Sequence, residues 1–226
     1  MSNSITRPLQ RHTLTTVREL GRLRQLLIIG CLSCFGCLLA SCSEEDDTEV
    51  EFADWQAKNE TYFENQYQAH LAANSATCFV LKHYSKGDTV QFSQLPHTDC
   101  ILVDVLPSDF PVDGDKTTMP IFTDKVAVHY RGWLLPSLSY ASGYPFDSSY
   151  YGTFSSDISE PSVMSVNEVV SGFSTALQHM HRGDHWRVTI PYQLGYGTSE
   201  YNSTIPGFST LIFEIRLVDF VEETDE

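Results

Sequence analysis

The 226-residue chain has no apolar stretch long enough for a comfortable membrane span, is short of basic side chains, and beyond residue 42 holds only two cysteines. Its longest uncharged apolar run, Leu26 to Leu39, falls short of the roughly 20 residues that a spanning helix needs. Fourteen Lys and Arg stand against 29 Asp and Glu, a formal net charge of −15. So acidic a chain repels phosphate backbones, gains nothing from counterion release, and carries no basic stripe with interleaved aromatics, which argues against nucleic acid as a partner. No nucleophile stands beside an evident base. Cys31, Cys34 and Cys37 are spaced like a metal or cluster motif, but all three lie inside the apolar run and are set aside with it.

What is present begins with the leader. Arg7, Arg11, Arg18, Arg22 and Arg24 precede the apolar run, and Leu39-Ala40-Ser41-Cys42 follows it. This order resembles a lipoprotein signal peptide, cut before a cysteine that takes the lipid. Residues 1–41 are therefore read as the signal and Cys42 as the lipid carrier. A single transmembrane anchor is disfavoured, because small residues before Cys42 and acidic ones after it do not continue a helix. Residues 42–51 read as an acidic tether, and Ser43-Glu44-Glu45-Asp46-Asp47 is similar to the acidic tag of surface lipoproteins in Bacteroidetes. The expected location is a bacterial outer membrane, lipid-anchored and facing the periplasm or the cell surface. Loss of the signal leaves 9 basic and 28 acidic residues, a net charge of −19.

The two remaining thiols, Cys78 and Cys100, are an even pair in an oxidising compartment. Spacing alone leaves a disulfide and two separately buried thiols equally open. Residues 52–98 read as an N-terminal extension: Phe52, Trp55, Tyr62, Phe63 and Tyr67 carry helical spacing to about Ala73, and residues 77–92 suit a short strand pair around Lys86-Gly87-Asp88. The extension either packs on its neighbour or supports a homodimer. Asp99 to Leu106 and Lys125 to Gly132 read as strands, the second alternating with period two, and Asn167 to Met180 is the single helical candidate in the region 99–221. The fold class is α+β, an antiparallel twisted sheet around one short helix. Residues 222–226 form an acidic tail. His179, His181 and His185 lie close in sequence but do not obviously converge, so no metal and no cofactor is expected.

Within 99–221, ordered landmarks accumulate: Val128-His129-Tyr130-Arg131-Gly132, Phe146-Asp147-Ser148-Ser149, Glu168-Val169-Val170-Ser171-Gly172-Phe173, Met180-His181-Arg182-Gly183-Asp184, Leu194-Gly195-Tyr196-Gly197, Ile205-Pro206 and Ser209 to Glu214. In this order they resemble the FKBP family of peptidyl-prolyl cis-trans isomerases. The resemblance implies that Tyr130, Phe146 and Phe213 wall a proline ring and Phe173 floors it. It implies that the N–H of Val170, following Val169, holds a substrate carbonyl and that the Tyr196 hydroxyl meets another. Asp147 is expected as a buried, hydrogen-bonded carboxylate beside the twisting amide, and Ile205 on a loop closing over the ligand. The implied activity is isomerisation of X-Pro bonds in proline-containing segments of exported proteins.

Three departures from the family pattern stand out. The floor, commonly tryptophan, is Phe173. A wall position that is usually aromatic falls near Ser162. The segment Trp133 to Pro145 is longer than in minimal members and is expected to extend or cover the cleft. A non-catalytic binding module and a structural surface lipoprotein are the competing readings.

Overall fold

The computed structural model describes residues 50–87, 89–111 and 116–221; the segments read above as signal and acidic tail, and Cys42, read as the lipid carrier, lie outside the described residues. In chain order the elements are α1 (Trp55–Ala73), β1 (Cys78–Lys82), β2 (Cys100–Val105), β3 (Lys125–Trp133), β4 (Pro145–Ser148), β5 (Ser162–Ser165), α2 (Ser171–Leu177), β6 (His185–Ile190) and β7 (Leu211–Val221). The strands form one antiparallel sheet in the order β1-β2-β6-β7-β3-β4, with β5 pairing the first half of β3. This is the expected α+β arrangement.

β7 is the axis of the sheet, pairing β3 from Lys125 to Trp133 and β6 from His185 to Ile190. Its alternate residues Leu211, Phe213, Ile215 and Leu217 are all buried in the core, beside Val126 and Val128 of β3 and Val188 and Ile190 of β6. Removing such side chains from water stabilises by about 1.5–3 kcal/mol each. The short helix α2 could not persist in isolation. It is held because Gly172 through Leu177 are all buried, with Phe173, Ala176 and Leu177 in the same core. At Gly172 a Cβ would stand 2.3 Å from Ile190, so only glycine permits this approach of helix to sheet. The helix is shorter than the expected 167–180. Val166–Glu168 is a separate 3-10 turn, and the β-branched pair Val169-Val170 is extended, with ψ of 166° and 142°.

The extension joins the same sheet. β2 is buried on both faces, which explains its unbroken apolar run Cys100-Ile101-Leu102-Val103. Ile101 and Val103 enter the main core, while Cys100 and Leu102 meet Phe63 and Tyr67 of α1. Along α1 the buried residues are Trp55, Asn59, Phe63, Tyr67 and His70. The Trp55 indole N–H donates to Ser209 Oγ at 2.9 Å. Asn59, fully buried, donates to the carbonyl of Trp55 at 2.7 Å and accepts from the N–H of Thr210 at 2.8 Å. The aromatic stripe that would have served a homodimer is thus occupied by the chain's own sheet.

Several expectations are corrected. β1 does not pair across the Lys86-Gly87 turn. Its partner is β2, whose apolar run offers the better face, and residues 92–94 and 97–99 form 3-10 turns. The strand pair straddles residue 98, where the sequence suggested a boundary. Cys78 and Cys100 are free: Cys78 stands opposite Asp104 and Cys100 opposite Lys82. Four residues of register separate the thiols by roughly 13 Å along the ladder, beyond the reach of a disulfide. The segment 134–144 turns toward the extension, with Leu134 and Leu135 in the core, Lys58 donating to the carbonyl of Pro136, and Glu51 accepting from the N–H and hydroxyl of Ser139.

Candidate active site

A cleft of about 180 Å³ opens beside α2, lined by Tyr130, Asp147, Met164, Glu168, Val169, Val170, Phe173, Tyr196, Tyr201 and Phe213. Each side chain arrives by simple geometry. Tyr130 projects from β3 and Phe213 from β7, and these residues lie near each other because the strands pair through Tyr130↔Ile215 and Gly132↔Phe213. Phe173 comes from the first turn of α2. The three rings meet edge-on or tilted: Phe173 and Phe213 at 5.0 Å, Tyr130 and Phe173 at 6.0 Å, and Tyr130 and Phe213 at 6.4 Å between centroids. Such packing fixes the orientation of each ring beyond what area burial does.

Phe146 stands to one side of this wall, half-buried and lining the adjoining hollow with Asp147. Its ring packs edge-on against Phe213 at 5.4 Å but does not line the cleft. Gly132 makes that contact possible, because a Cβ there would lie 2.6 Å from both rings. Ile205 is also buried, in the core, and does not reach the cleft. Its loop contributes Tyr201 instead, drawn inward by a two-way backbone bridge in which Tyr201 donates to Ile205 at 2.8 Å and Ile205 donates back at 3.1 Å. Tyr201 stacks on Tyr196 at 4.0 Å with planes 11° apart.

The polar part of the cleft centres on Asp147. The Tyr130 hydroxyl donates to Asp147 Oδ2 at 2.8 Å, and the N–H of Ser148 donates to Asp147 Oδ1 at 2.8 Å. Asp147 is hydrogen-bonded as expected but exposed rather than buried; β4 is a short edge strand that presents it to solvent. Burial first, and then the bond to Asp147, pushes the Tyr130 phenol far above its ordinary value. Burial, with Tyr201 and Asp147 adding to it, raises Tyr196 as well. Both hydroxyls therefore stay neutral at physiological pH. Among the described residues nothing accepts the N–H of Val170, which sits at the cleft's edge in the extended residue before α2. Nor does any described group engage the Tyr196 hydroxyl.

Of the residues named from sequence, Tyr130, Asp147, Val169, Val170, Phe173, Tyr196 and Phe213 come together, while Phe146 lines the adjoining hollow and Ile205 is buried in the core. Sequence reasoning missed Met164, Glu168 and Tyr201. Met164 lies two residues beyond Ser162 on β5, so the strand face was right and its register two residues off. The tight turn at Asn202 and Ser203, both with positive φ, is the local signal that could have found Tyr201. The three histidines diverge: His179 faces the carbonyl of Thr175, His181 faces Asp184, and His185 bridges Pro107 and Glu214.

A cleft walled by aromatic rings, with two neutral hydroxyls and no nucleophile–base pair, is matched by comparison. The model of the family "FKBP-type peptidyl-prolyl cis-trans isomerase" matches residues 116–218. The chain carries an FKBP-type domain. Among its relatives are a macrophage infectivity potentiator of Trypanosoma cruzi, 36% identical over 50% of this chain and 56% of the relative, and an FKBP-type 22 kDa peptidyl-prolyl cis-trans isomerase of Escherichia coli, 39% identical over 49% and 48%. An outer membrane protein MIP of Legionella longbeachae is 32% identical over 50% and 45%. The chain spans about half the length of these curated relatives. A solved peptidyl-prolyl cis-trans isomerase of Pseudomonas syringae pv. tomato aligns with 77% of this chain and 99% of its own at 23% identity and a TM-score of 0.49. The FKBP match begins after β2, so β1, β2 and α1 lie before the matched segment.

Proposed function

We propose that the chain catalyses cis–trans isomerisation of X-Pro peptide bonds, with the proline ring held against Tyr130, Phe173 and Phe213. The observation that carries this reading is the pairing of a small aromatic cleft with two unengaged donors at its edge, the Val170 N–H and the Tyr196 hydroxyl. Rotation about the amide faces a barrier of about 18–20 kcal/mol because the C–N bond has partial double-bond character. Twisting it removes that resonance and its polarity without any proton or covalent exchange. An apolar wall therefore favours the twisted amide over the planar one, and the two donors hold the flanking carbonyls while it turns. Asp147, fixed by Tyr130 and the Ser148 N–H, stands beside the rotating bond. At 180 Å³ the cleft is smaller than the roughly 300–1,000 Å³ of drug-sized sites and suits a single proline ring.

The substrates are proline-containing segments of exported proteins, and the lipid on Cys42 would hold the domain at the bacterial outer membrane, at the end of the 42–51 tether. The leader pattern supports this location, as does the similarity to the outer membrane protein MIP of Legionella longbeachae. The competing reading, a binding module without turnover, draws its support from Phe173, a smaller floor than the family's usual tryptophan.

Protease-coupled isomerisation of a short X-Pro peptide by the full chain in detergent tests the proposal, beside Tyr196→Phe and Asp147→Ala. Acceleration by the parent that falls in both variants supports an enzyme working at this cleft. A folded parent that binds the peptide without accelerating it would leave the binding module as the better account.

A further inference from the structure

Where the last turn of α1 meets β1 and β2, three side chains outside the cleft converge. His70 is 4% exposed. Its Nδ1 lies 2.8 Å from the carbonyl oxygen of Gln66, which can only accept, so Nδ1 carries a proton and, in the neutral ring, Nε2 presents a lone pair. That Nε2 is buried without a hydrogen-bond partner among the described residues. It points at Asp104, whose Oδ1 is 3.3 Å away. Cys78 stands directly opposite Asp104 in the β1–β2 register. The ligand atoms of His70, Cys78 and Asp104 all lie within 4.8 Å of one another.

An imidazole nitrogen, a thiol and a carboxylate form a donor set that zinc accepts, whereas calcium and magnesium require oxygen. Donor atoms around tetrahedral zinc stand about 3.3–3.7 Å apart, given bonds of about 2.0–2.3 Å. The His70–Asp104 separation already falls in that range, and the Cys78 sulfur lies within 4.8 Å of both. The Nδ1–H to carbonyl bond is the outer-shell contact that orients a ligating histidine. Burial, and then the neighbouring Asp104, holds the Cys78 thiol above its ordinary value, so a bound cation has to displace the thiol proton.

We propose that His70 Nε2, Cys78 Sγ and the Asp104 carboxylate bind one zinc-class divalent cation, leaving a fourth position for water and tying α1 to the β1–β2 pair. Binding forms a thiolate bond and releases the thiol proton to solvent.

The test is a Co²⁺ titration of the full chain in detergent after chelation. Cys31, Cys34, Cys37 and Cys42 are replaced by Ser so that leader thiols do not compete. One equivalent is expected to bind with a thiolate-to-cobalt charge-transfer band, and Zn²⁺ should displace it. Cys78→Ser should abolish the band, and Asp104→Asn, at a partly exposed position, should weaken binding on the order of 100-fold. Cys100→Ser should leave band and affinity unchanged. A folded parent without the band, or a band that survives Cys78→Ser, overturns the site and leaves His70 and Asp104 as a simple polar contact between α1 and β2.

Discussion

The two faces of β7 are built from opposite chemistries. Phe213 turns inward to the cleft wall, with Ile215 and Leu217 following in the core. The residues between them turn the other way. Arg216, 4% exposed, donates from Nε and Nη2 to both oxygens of Asp109 at 2.7 and 2.6 Å and lies 2.7 Å from Glu214 Oε1, with its guanidinium over the Phe154 ring. His185 Nε2 completes the group at 2.8 Å from Glu214. Period-two alternation lets one strand supply an aromatic wall of the cleft and, on its other face, a charge cluster. Pairing order and hydrogen bonding, rather than charge, position the first; the second holds the loop at Asp109 onto the sheet. Stability and activity should therefore be separable along a single strand.

The largest effect is expected from Arg216→Ala. Removing one partner of a buried ion cluster leaves Asp109 and Glu214 without their cation and should lower unfolding stability by roughly 3 kcal/mol. Isomerisation per folded molecule should be unchanged, and a comparable fall in both denaturant midpoint and kcat/KM would show that the faces are not independent. Next comes Gly132→Ala, which forces Phe146 and Phe213 apart. Overpacking should destabilise by about 1–3 kcal/mol, and here activity should fall with stability because a cleft wall moves. Parent-like kcat/KM in this variant would remove Phe213 from the proposed wall.

Tyr130→Phe should act the other way round, lowering kcat/KM up to about tenfold through the freed Asp147 while shifting stability by no more than about 1 kcal/mol. An unchanged rate would count against a role for the Tyr130–Asp147 bond. The smallest effect is with pH. The bond from His185 first, then Arg216, holds Glu214 below its ordinary range, and the bond from Arg216 holds Asp109 below its own. Depressed carboxyls contribute stability that is present above their unfolded values near 4 and is lost as pH falls through the folded ones. The chain should therefore weaken below about pH 4, while the isomerisation rate stays level from about pH 6 to 9 because Tyr130 and Tyr196 are raised. A rate that titrates near neutrality would place an ionising group in the cleft.

Most of the cleft was legible in the sequence because its residues sit on short motifs tied to strand and helix starts: Tyr130 on the alternating strand, Phe173 on the first turn of α2, Phe213 on the last strand. Phe146 lines the adjoining hollow and Ile205 sits in the core rather than in the cleft itself, because a motif marks a residue's neighbourhood and not which way its side chain faces. Tyr201 depended on a backbone bridge across a four-residue turn, which no periodicity reports. Asp147 was expected buried, but its strand is an edge, and edge position follows from the pairing order of distant segments. The same holds for β1: its partner lies past two 3-10 turns, and a nearer turn sequence was the stronger local signal. His70, Cys78 and Asp104 come from a helix and two strands, so nothing in their sequence spacing announces them.

The placement of β2 has a practical consequence. It covers β6 along Leu102 to Val105 and carries β1 on its other side. A clone trimmed to the matched segment, starting at residue 116, would strip away both strands and α1 together. The open amides and carbonyls of β6 would then flank Trp186, Val188 and Ile190 as a bare apolar edge, a template for self-association between molecules. Such a fragment is expected to precipitate on expression, whereas a clone starting at residue 50 should stay monodisperse.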